Sequence, residues 1–337
     1  MQSIFPLSDR ISAFIRLGNR LSELEGDEKQ ALFQQAQNQN AWFTPQSLEQ
    51  ALKGIQVLLD AQALEKWVTN YSFSETDQPQ QIGLMLAGNI PGVGFHDILA
   101  VLIAGHSACI KLSSQDSALP LWLLTQLKAI EPRFSDRIHL EELLKNKQAY
   151  IATGSDNSAR YFNYYFGKYP HLIRSNRTSV AILQGDESKA DLQALGKDIF
   201  DYFGRGCRNV SHLLLPKDFE LNRFFEGIVS YSEVINNKKY GNNYDYNKAI
   251  HLMNLVPFLD NNFMLLMEHE QLQAPLSMVY YHYYSNEEEV KNYLEVHKEQ
   301  LQCIVGLEHL PFGSTQEPQI KEYADGIDTM QWLSNHL

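Results

Sequence analysis

The sequence predicts an α/β fold, and three observations carry that reading. Short apolar runs alternate with helix-like segments from Gln81 onward, most runs end in a turn of small or polar residues, and the first seventy or so residues show helical spacing only. In that opening region Ile11, Phe14, Ile15 and Leu21 recur at helical intervals. Thr44-Pro45 then supplies a cap and a first-turn proline for the stripe Leu48, Leu52, Ile55 and Leu59. No residue of the helical N-terminal region points to chemistry.

The alternation begins with the apolar run 82–86, which ends in Gly88-Asn89-Ile90-Pro91-Gly92, after which 96–104 is helix-like and stops at Gly105. It repeats as strand 108–112, helix 119–130, strand 150–153, a helix from Asp156 and strand 179–183. Such a chain implies right-handed crossovers and a mostly parallel sheet covered on both faces. Ligands of these sheets sit beyond the carboxyl ends of the strands, where Asn89, Ser113 and Ser155 fall. After helix 190–203, the turn Gly204-Arg205-Gly206-Cys207-Arg208-Asn209 leads into strand 211–215 and opens a second unit. That unit continues with the aromatic strand 278–284, a charged helix from Glu287 and strand 303–305. The stretch 238–247, rich in Asn and Tyr, reads as a long surface loop.

At 337 residues and 44% apolar content, the chain can bury the core of two ordinary domains. Its net charge of -12 argues against nucleic acid or an anionic membrane surface as the main partner. Asp9 and Arg10 interrupt the first apolar stretch, and the run 98–104 is too short to span a bilayer, so neither a signal peptide nor a membrane span is expected. The three cysteines, Cys109, Cys207 and Cys303, are odd in number and lack paired metal-ligand spacing. They suggest neither a disulfide framework nor a structural zinc site, and a reducing cytoplasm is the expected compartment.

Cys109 and Cys303 lie inside apolar strand runs and read as core thiols. Cys207 differs, because Gly204 and Gly206 let backbone approach a substrate, and Arg205 and Arg208 favour the thiolate that attacks a carbonyl carbon. A tight turn with an incidental thiol accounts for the same residues, since no histidine is evidently paired with this cysteine. The glycines of 88–94 do not follow the G-x-G-x-x-G order of a dinucleotide turn. Asn89 is either a carboxamide donor to a developing oxyanion or the side chain of an Asx turn. Lys111, followed by Ser113 and Ser114, either reaches a cofactor ribose or phosphate or is solvated. Gly154-Ser155 either meets a pyrophosphate at a helix N-terminus or is a plain cap. His269, Glu270 and Asp325 lack ligand spacing, so no metal is expected. Tyr280 to Tyr284 reads as half-buried strand rather than as a platform for stacking bases.

Taken in order, these segments resemble the aldehyde dehydrogenase superfamily, and within it the LuxC-like long-chain acyl-CoA reductases. The stretch Gly88-Asn89-Ile90-Pro91 is similar to the superfamily's W-N-F-P turn, Ala104-Gly105-His106 to its A-G-N helix end, and Lys111-Leu112-Ser113 to its K-P-S strand end. Ala152-Thr153-Gly154-Ser155 resembles F-T-G-S, 174–183 the L-G-G-K-S-P strand, Gly204-Arg205-Gly206-Cys207 the G-Q-x-C nucleophile loop, and 309–313 the late P-F-G-G turn. The resemblance runs from about Gln81 to the C-terminus.

The resemblance implies an aldehyde dehydrogenase-like α/β fold. Residues 1–202 would form the N-terminal helices and a parallel-sheet cofactor domain, 203–310 a catalytic α/β domain, and 311–337 a returning segment. It implies Cys207 as nucleophile, Asn89 and the Cys207 backbone N–H as oxyanion hole, and Lys111, Ser113, Gly154 and Ser155 as cofactor contacts. Ser114 stands where the superfamily carries a carboxylate that would repel a 2′-phosphate, which favours NADP over NAD. Ile173 stands where hydrolytic members carry the glutamate that activates water, so an acyl-enzyme would lack its deacylating base. Glu270-Gln271-Leu272-Gln273-Ala274-Pro275 lies near the usual E-E-I-F-G-P segment and leaves the nicotinamide-ribose contact open. The expected activity is NADPH-dependent reduction of an acyl-CoA, or acyl-carrier, thioester to the aldehyde by a homodimeric enzyme. The alternatives are an oxidative aldehyde or semialdehyde dehydrogenase, or an inert binding protein on the same fold.

Overall fold

The computed structural model describes residues 5–72, 79–154 and 156–336. They fall into two compact units, Met1–Asn176 together with Gln319–Leu337, and Arg177–Pro318.

The first unit opens with four helices, α1 (Leu7–Ser22), α2 (Gly26–Gln39), α3 (Pro45–Leu58) and α4 (Ala61–Val68). Their order follows from spacing and caps. Ala13, Phe14, Leu17 and Leu21 form the buried face of α1, and Leu48, Ala51, Leu52 and Ile55 that of α3. Thr44 starts α3 by accepting the Ser47 N–H at 3.2 Å, with Pro45 in the first turn. There follow β1 (Gln81–Met85), α5 (Phe95–Ile103), β2 (Ser107–Lys111), α6 (Ala118–Ile130), β3 (Ile138–Leu140), β4 (Ala149–Thr153), α7 (Asp156–Phe166) and β5 (His171–Arg174). The strands pair in parallel in the order β3-β2-β1-β4-β5. The chain therefore winds outward from β1 to β3 and restarts on the other side at β4. This reversal leaves a switch point between the carboxyl ends of β1 and β4, the place where such sheets take ligands.

The second unit comprises β6 (Thr178–Ile182), α8 (Lys189–Phe200), β7 (Val210–Pro216), α9 (Leu221–Ile228), α10 (Lys238–Met253), β8 (Leu259–Asp260), β9 (Leu265–Glu268), β10 (Met278–Tyr284), α11 (Glu287–His297) and β11 (Leu301–Val305). Its sheet runs β11-β6-β7-β10-β9-β8, parallel except for the β8–β9 pair. The last helix, α12 (Thr329–His336), returns to the first unit. There Trp67 Nε1 donates to the Tyr323 hydroxyl at 2.6 Å, and the Tyr71 hydroxyl donates to Asp328 at 2.8 Å.

Two expectations differ from this architecture. Strand 179–183 was expected to belong with the first alternation, but β6 hydrogen-bonds to β7 and β11, so the units part at Asn176 and Arg177 rather than after residue 202. The stretch 238–247 is not a loop but the start of α10, capped by the Asn237 side chain on the amides of Lys239 and Tyr240. Its buried stripe is Tyr240, Tyr244 and Asn247 rather than aliphatic residues. Helical periodicity is therefore present but hidden from an apolar count, and the Asn247 amide is satisfied by the Leu276 carbonyl at 2.8 Å.

α5 is buried on nearly every side, from Phe95 through Ile103. One of its residues is charged: Asp97 meets Arg174, at the end of β5, at 2.6 Å, and Arg174 also donates to Thr329 of α12 at 2.9 Å. The pair joins helix, strand and returning segment in a place that water does not reach. Removing one partner strands a buried charge, a loss typically worth about 3–5 kcal/mol. The prediction is that Asp97→Ala lowers the urea-unfolding free energy by roughly that amount, and that Asp97→Asn, which keeps an acceptor, loses clearly less. Equal losses in the two variants would show that the charge, which both remove, outweighs the acceptor that Asp97→Asn keeps.

Candidate active site

In the first unit the expected residues gather at the carboxyl ends of β1, β2 and β4. Asn89 is half-buried in the turn after β1, Lys111 is the last residue of β2, Ser113 is half-buried and Ser114 exposed. The turns after β1 and β2 are packed on each other: a Cβ at Gly88 would stand 2.7 Å from Ser113 Cβ, so only glycine fits. Gly154 follows β4 and donates its N–H to the Arg174 carbonyl at 3.3 Å, which engages that amide within the sheet. Ser155 lies outside the described residues. Ile173, on β5, packs against the cluster of Cys109, Tyr150, Ala152 and Phe166.

Two buried side chains that sequence reading passed over fix the turn of Asn89. Asn40, at the end of α2, donates to the Gly88 carbonyl at 3.4 Å, and Asp116 accepts the Gly92 N–H at 2.7 Å. The helical N-terminal region, which showed no chemistry as sequence, thus braces the turn. Burial pushes the Asp116 carboxyl up to about 7 against the opposing pull of the Gly92 amide.

The three cysteines separate as expected: Cys109 of the first unit and Cys303 of the second are buried in β2 and β11, whereas Cys207, also of the second, is half-buried in the loop before β7. That loop starts with three successive left-handed residues, Tyr202, Phe203 and Gly204, at φ 52°, 61° and 73°. Such a conformation is unfavourable for the two aromatic residues and must be held from outside. Asn209 holds it. Its carboxamide N–H groups point at the carbonyls of Asp198, Ile199 and Asp201 at 3.0, 3.3 and 2.9 Å, and its Oδ1 accepts the Gly206 N–H at 2.8 Å. One side chain both closes the C-terminus of α8 and ties down the residue before Cys207. Ser179 of β6 donates to the Cys207 carbonyl at 3.1 Å.

Arg208, expected to favour the thiolate, donates Nε to the Thr315 carbonyl. Thr315 is in turn held by Asp198, which accepts from the Gly313 amide at 2.6 Å, the Thr315 amide at 3.0 Å and its hydroxyl at 2.9 Å. Burial raises the Asp198 carboxyl despite these three donors. The late turn at 309–315 is therefore part of the scaffold of the cysteine loop. On the other face of this sheet, under α11, His212 donates Nδ1–H to the Gln271 carbonyl at 3.0 Å and accepts from His282 Nδ1 at 2.8 Å. Burial, then His282, push its pKa down to about 3, so it stays neutral as that bond pattern requires. A cavity of about 1320 Å³ within this unit lies between α11 and β11 and is lined by Val290, Leu294 and Cys303 among others, not by Cys207.

A parallel-sheet unit with its switch point, joined in sequence to a second α/β unit that carries a cysteine on a strained loop, defines the aldehyde dehydrogenase class of fold. Solved structures agree. An NADP complex of glyceraldehyde-3-phosphate dehydrogenase GapN from Methanocaldococcus jannaschii aligns with TM-score 0.63 at 13% identity, over 89% of this chain and 76% of that one. Mycobacterium tuberculosis aldehyde dehydrogenase with NAD+ aligns with TM-score 0.60 at 13% identity, over 94% and 76%. The NADP complex of NADP-dependent glyceraldehyde-3-phosphate dehydrogenase from Bacillus halodurans does so with TM-score 0.61 at 11% identity, over 90% and 74%. No curated protein sequence matches. The LuxC acyl-CoA reductase family model matches residues 14–223, more than half of the chain, and the chain belongs to that family. Among the described residues no helix is long and apolar enough to cross a membrane.

Two predictions follow from the geometry of these loops. Asn209→Ala leaves three carbonyls and one amide without their partner, at about 1–3 kcal/mol for each buried group left unmade. It should lower stability by at least about 2 kcal/mol in denaturant titration. It should also slow thiol-reagent labelling of Cys207 differently from Asn209→Asp, which keeps the Gly206 acceptor; identical labelling in both variants counts against the loop-closing role. For Asp116 the sign is set by its raised pKa. The folded protein retains a proton that the unfolded chain releases near pH ~4, so this carboxyl's contribution is fully present below that pH and is lost as pH rises to about 7. The stability of Asp116→Asn relative to the parent should therefore climb between pH 4 and 7, by about 4 kcal/mol at most, and level off above. A pH-independent difference would show that the carboxyl is not perturbed.

Proposed function

We propose that this protein reduces a long-chain acyl-CoA, or acyl-carrier, thioester to the aldehyde with NADPH, through an acyl-Cys207 intermediate. The observation that carries the reading is the contrast among the cysteines: two are buried strand thiols, and Cys207 is held half-buried on a braced loop in a member of the LuxC acyl-CoA reductase family. The Cys207 thiolate attacks the thioester carbonyl carbon, and the C–S bond to CoA breaks as the tetrahedral oxyanion collapses. The Asn89 carboxamide and the Cys207 backbone N–H donate to that oxyanion. The carboxyl ends of β1 and its neighbours suit a dinucleotide, because the parallel order reverses there. Lys111, Ser113, Ser114, Gly154 and Ser155 are the proposed contacts, and Ser114 brings no negative charge against a 2′-phosphate. NADPH, when bound, supplies the hydride that takes the acyl group to the aldehyde level.

Ile173 is apolar and packed in a core cluster, so it supplies no base to take a proton from water. The acyl-enzyme then persists for CoA or for the reductant rather than being hydrolysed. The relatives that resemble this fold include dehydrogenases, which keeps an oxidative aldehyde dehydrogenase as the second reading. One assay separates the two. With acyl-CoA substrates of graded length, NADPH should be consumed and aldehyde formed, with a modest preference over NADH; Cys207→Ala should abolish both turnover and trapping of a labelled acyl group. With aldehyde and NADP but no CoA, NADPH should appear as a burst, and CoA should restore turnover. Rapid, steady formation of free acid without CoA would instead establish the oxidative enzyme.

A further inference from the structure

The turn that carries Asn89 is anchored on a group that is unfavourable to bury. Asp116 is 2% exposed, its Oδ2 accepts the Gly92 N–H at 2.7 Å, and its Oδ1 is buried with no hydrogen-bond partner among the described residues. Ile55 of α3 and Leu119 of α6 crowd Gly92. Burial raises the carboxyl and the Gly92 amide lowers it. An asparagine or serine would accept the same amide without the desolvation of a charge. What a carboxylate adds is a charge-assisted bond, about twice as strong as a neutral one.

That bond is delivered to the residue whose φ of +67° sets how the chain turns away from β1 into α5. At the other end of the turn, Gly88 is held by Asn40 and pressed on Ser113. Asn89 is thus suspended between two anchors, and the one at Gly92 is ionisable. Its neighbours from β2 onward are fixed as well, because the Asp116 amide bonds the Ser113 carbonyl at 3.2 Å.

We propose that Asp116 is a positioning residue: through the Gly92 amide its carboxylate stiffens the turn 88–92 and so preorganises the Asn89 carboxamide as oxyanion donor. The proposal rests on the reading of Asn89 given above. Protonation weakens the anchoring bond, so the rate of the chemical step acquires an acid limb near neutrality that originates in this carboxyl.

The test uses the full-length protein and the variants D116A, D116N, N89A and D116A/N89A. Amide hydrogen exchange of the peptide covering 87–95 reads the turn without reference to activity. D116A should exchange faster there and lose kcat by roughly 10- to 100-fold, with KM for acyl-CoA and NADPH affinity within about twofold, and should add nothing to the loss in N89A. D116N, whose neutral acceptor mimics the protonated carboxyl, should show at every pH the faster exchange and lower kcat that the parent shows at the foot of its acid limb, and so lack that limb. Unchanged exchange in D116A, additive losses with N89A, or an acid limb that survives in D116N overturns the proposal. Should D116A not fold, the pH profile of D116N decides alone. Full activity in N89A removes the oxyanion reading and the proposal together, whereas a defective N89A beside a normal D116A removes the proposal only.

Discussion

The carboxamide of Asn209 is the interaction on which the presentation of Cys207 depends. A loop that begins with three left-handed residues cannot form a ladder of its own, and α8 ends just before it with carbonyls that have no continuing helix to accept from. Asn209 answers both needs with one planar group, donating to three carbonyls and accepting the Gly206 amide. Because both of its functional ends are used, neither aspartate nor serine reproduces it. The thiol proposed as nucleophile is then held by geometry set on the protein side, which is what an attack on a carbonyl carbon requires.

The first unit solves a parallel problem at the end of β1. A parallel sheet satisfies its strands but leaves the turns at their carboxyl ends to side chains. Here Asn40 and Asp116 are those side chains, both buried, one from a helix of the N-terminal region and one from the turn after β2. The packing of Gly88 on Ser113 makes the two turns one body. In both units, then, buried polar side chains contributed by neighbouring segments hold the residues proposed to meet a substrate, and in the first unit one of them carries a desolvation penalty.

Much of this was legible in order along the chain. Strand 278–284 was read with its observed bounds, and α3 with its Thr44 cap, because local spacing and cap chemistry decide those elements. The family could be read from weak motifs in sequence order, Asn89 to Cys207. What stayed hidden was carried by polar residues that have no periodic signature. Asn209 is the end of one motif, and Asp116, Asp198 and Asn40 belong to none. α10 was missed for the same reason, since its buried stripe is tyrosine and asparagine.

By itself the sequence determined the fold class, the alternation of strands and helices, and which cysteine stands apart, because each follows from periodicity, turn residues and immediate neighbours. Only the tertiary structure decided to which sheet β6 belongs, how the strained loop before β7 is tolerated, and which carboxyl is buried beside Gly92. Those outcomes depend on hydrogen bonds between residues far apart in the chain, such as Asp198 with Gly313 and Thr315 or Asn40 with Gly88, and a partner chosen by proximity in space leaves no trace in local spacing.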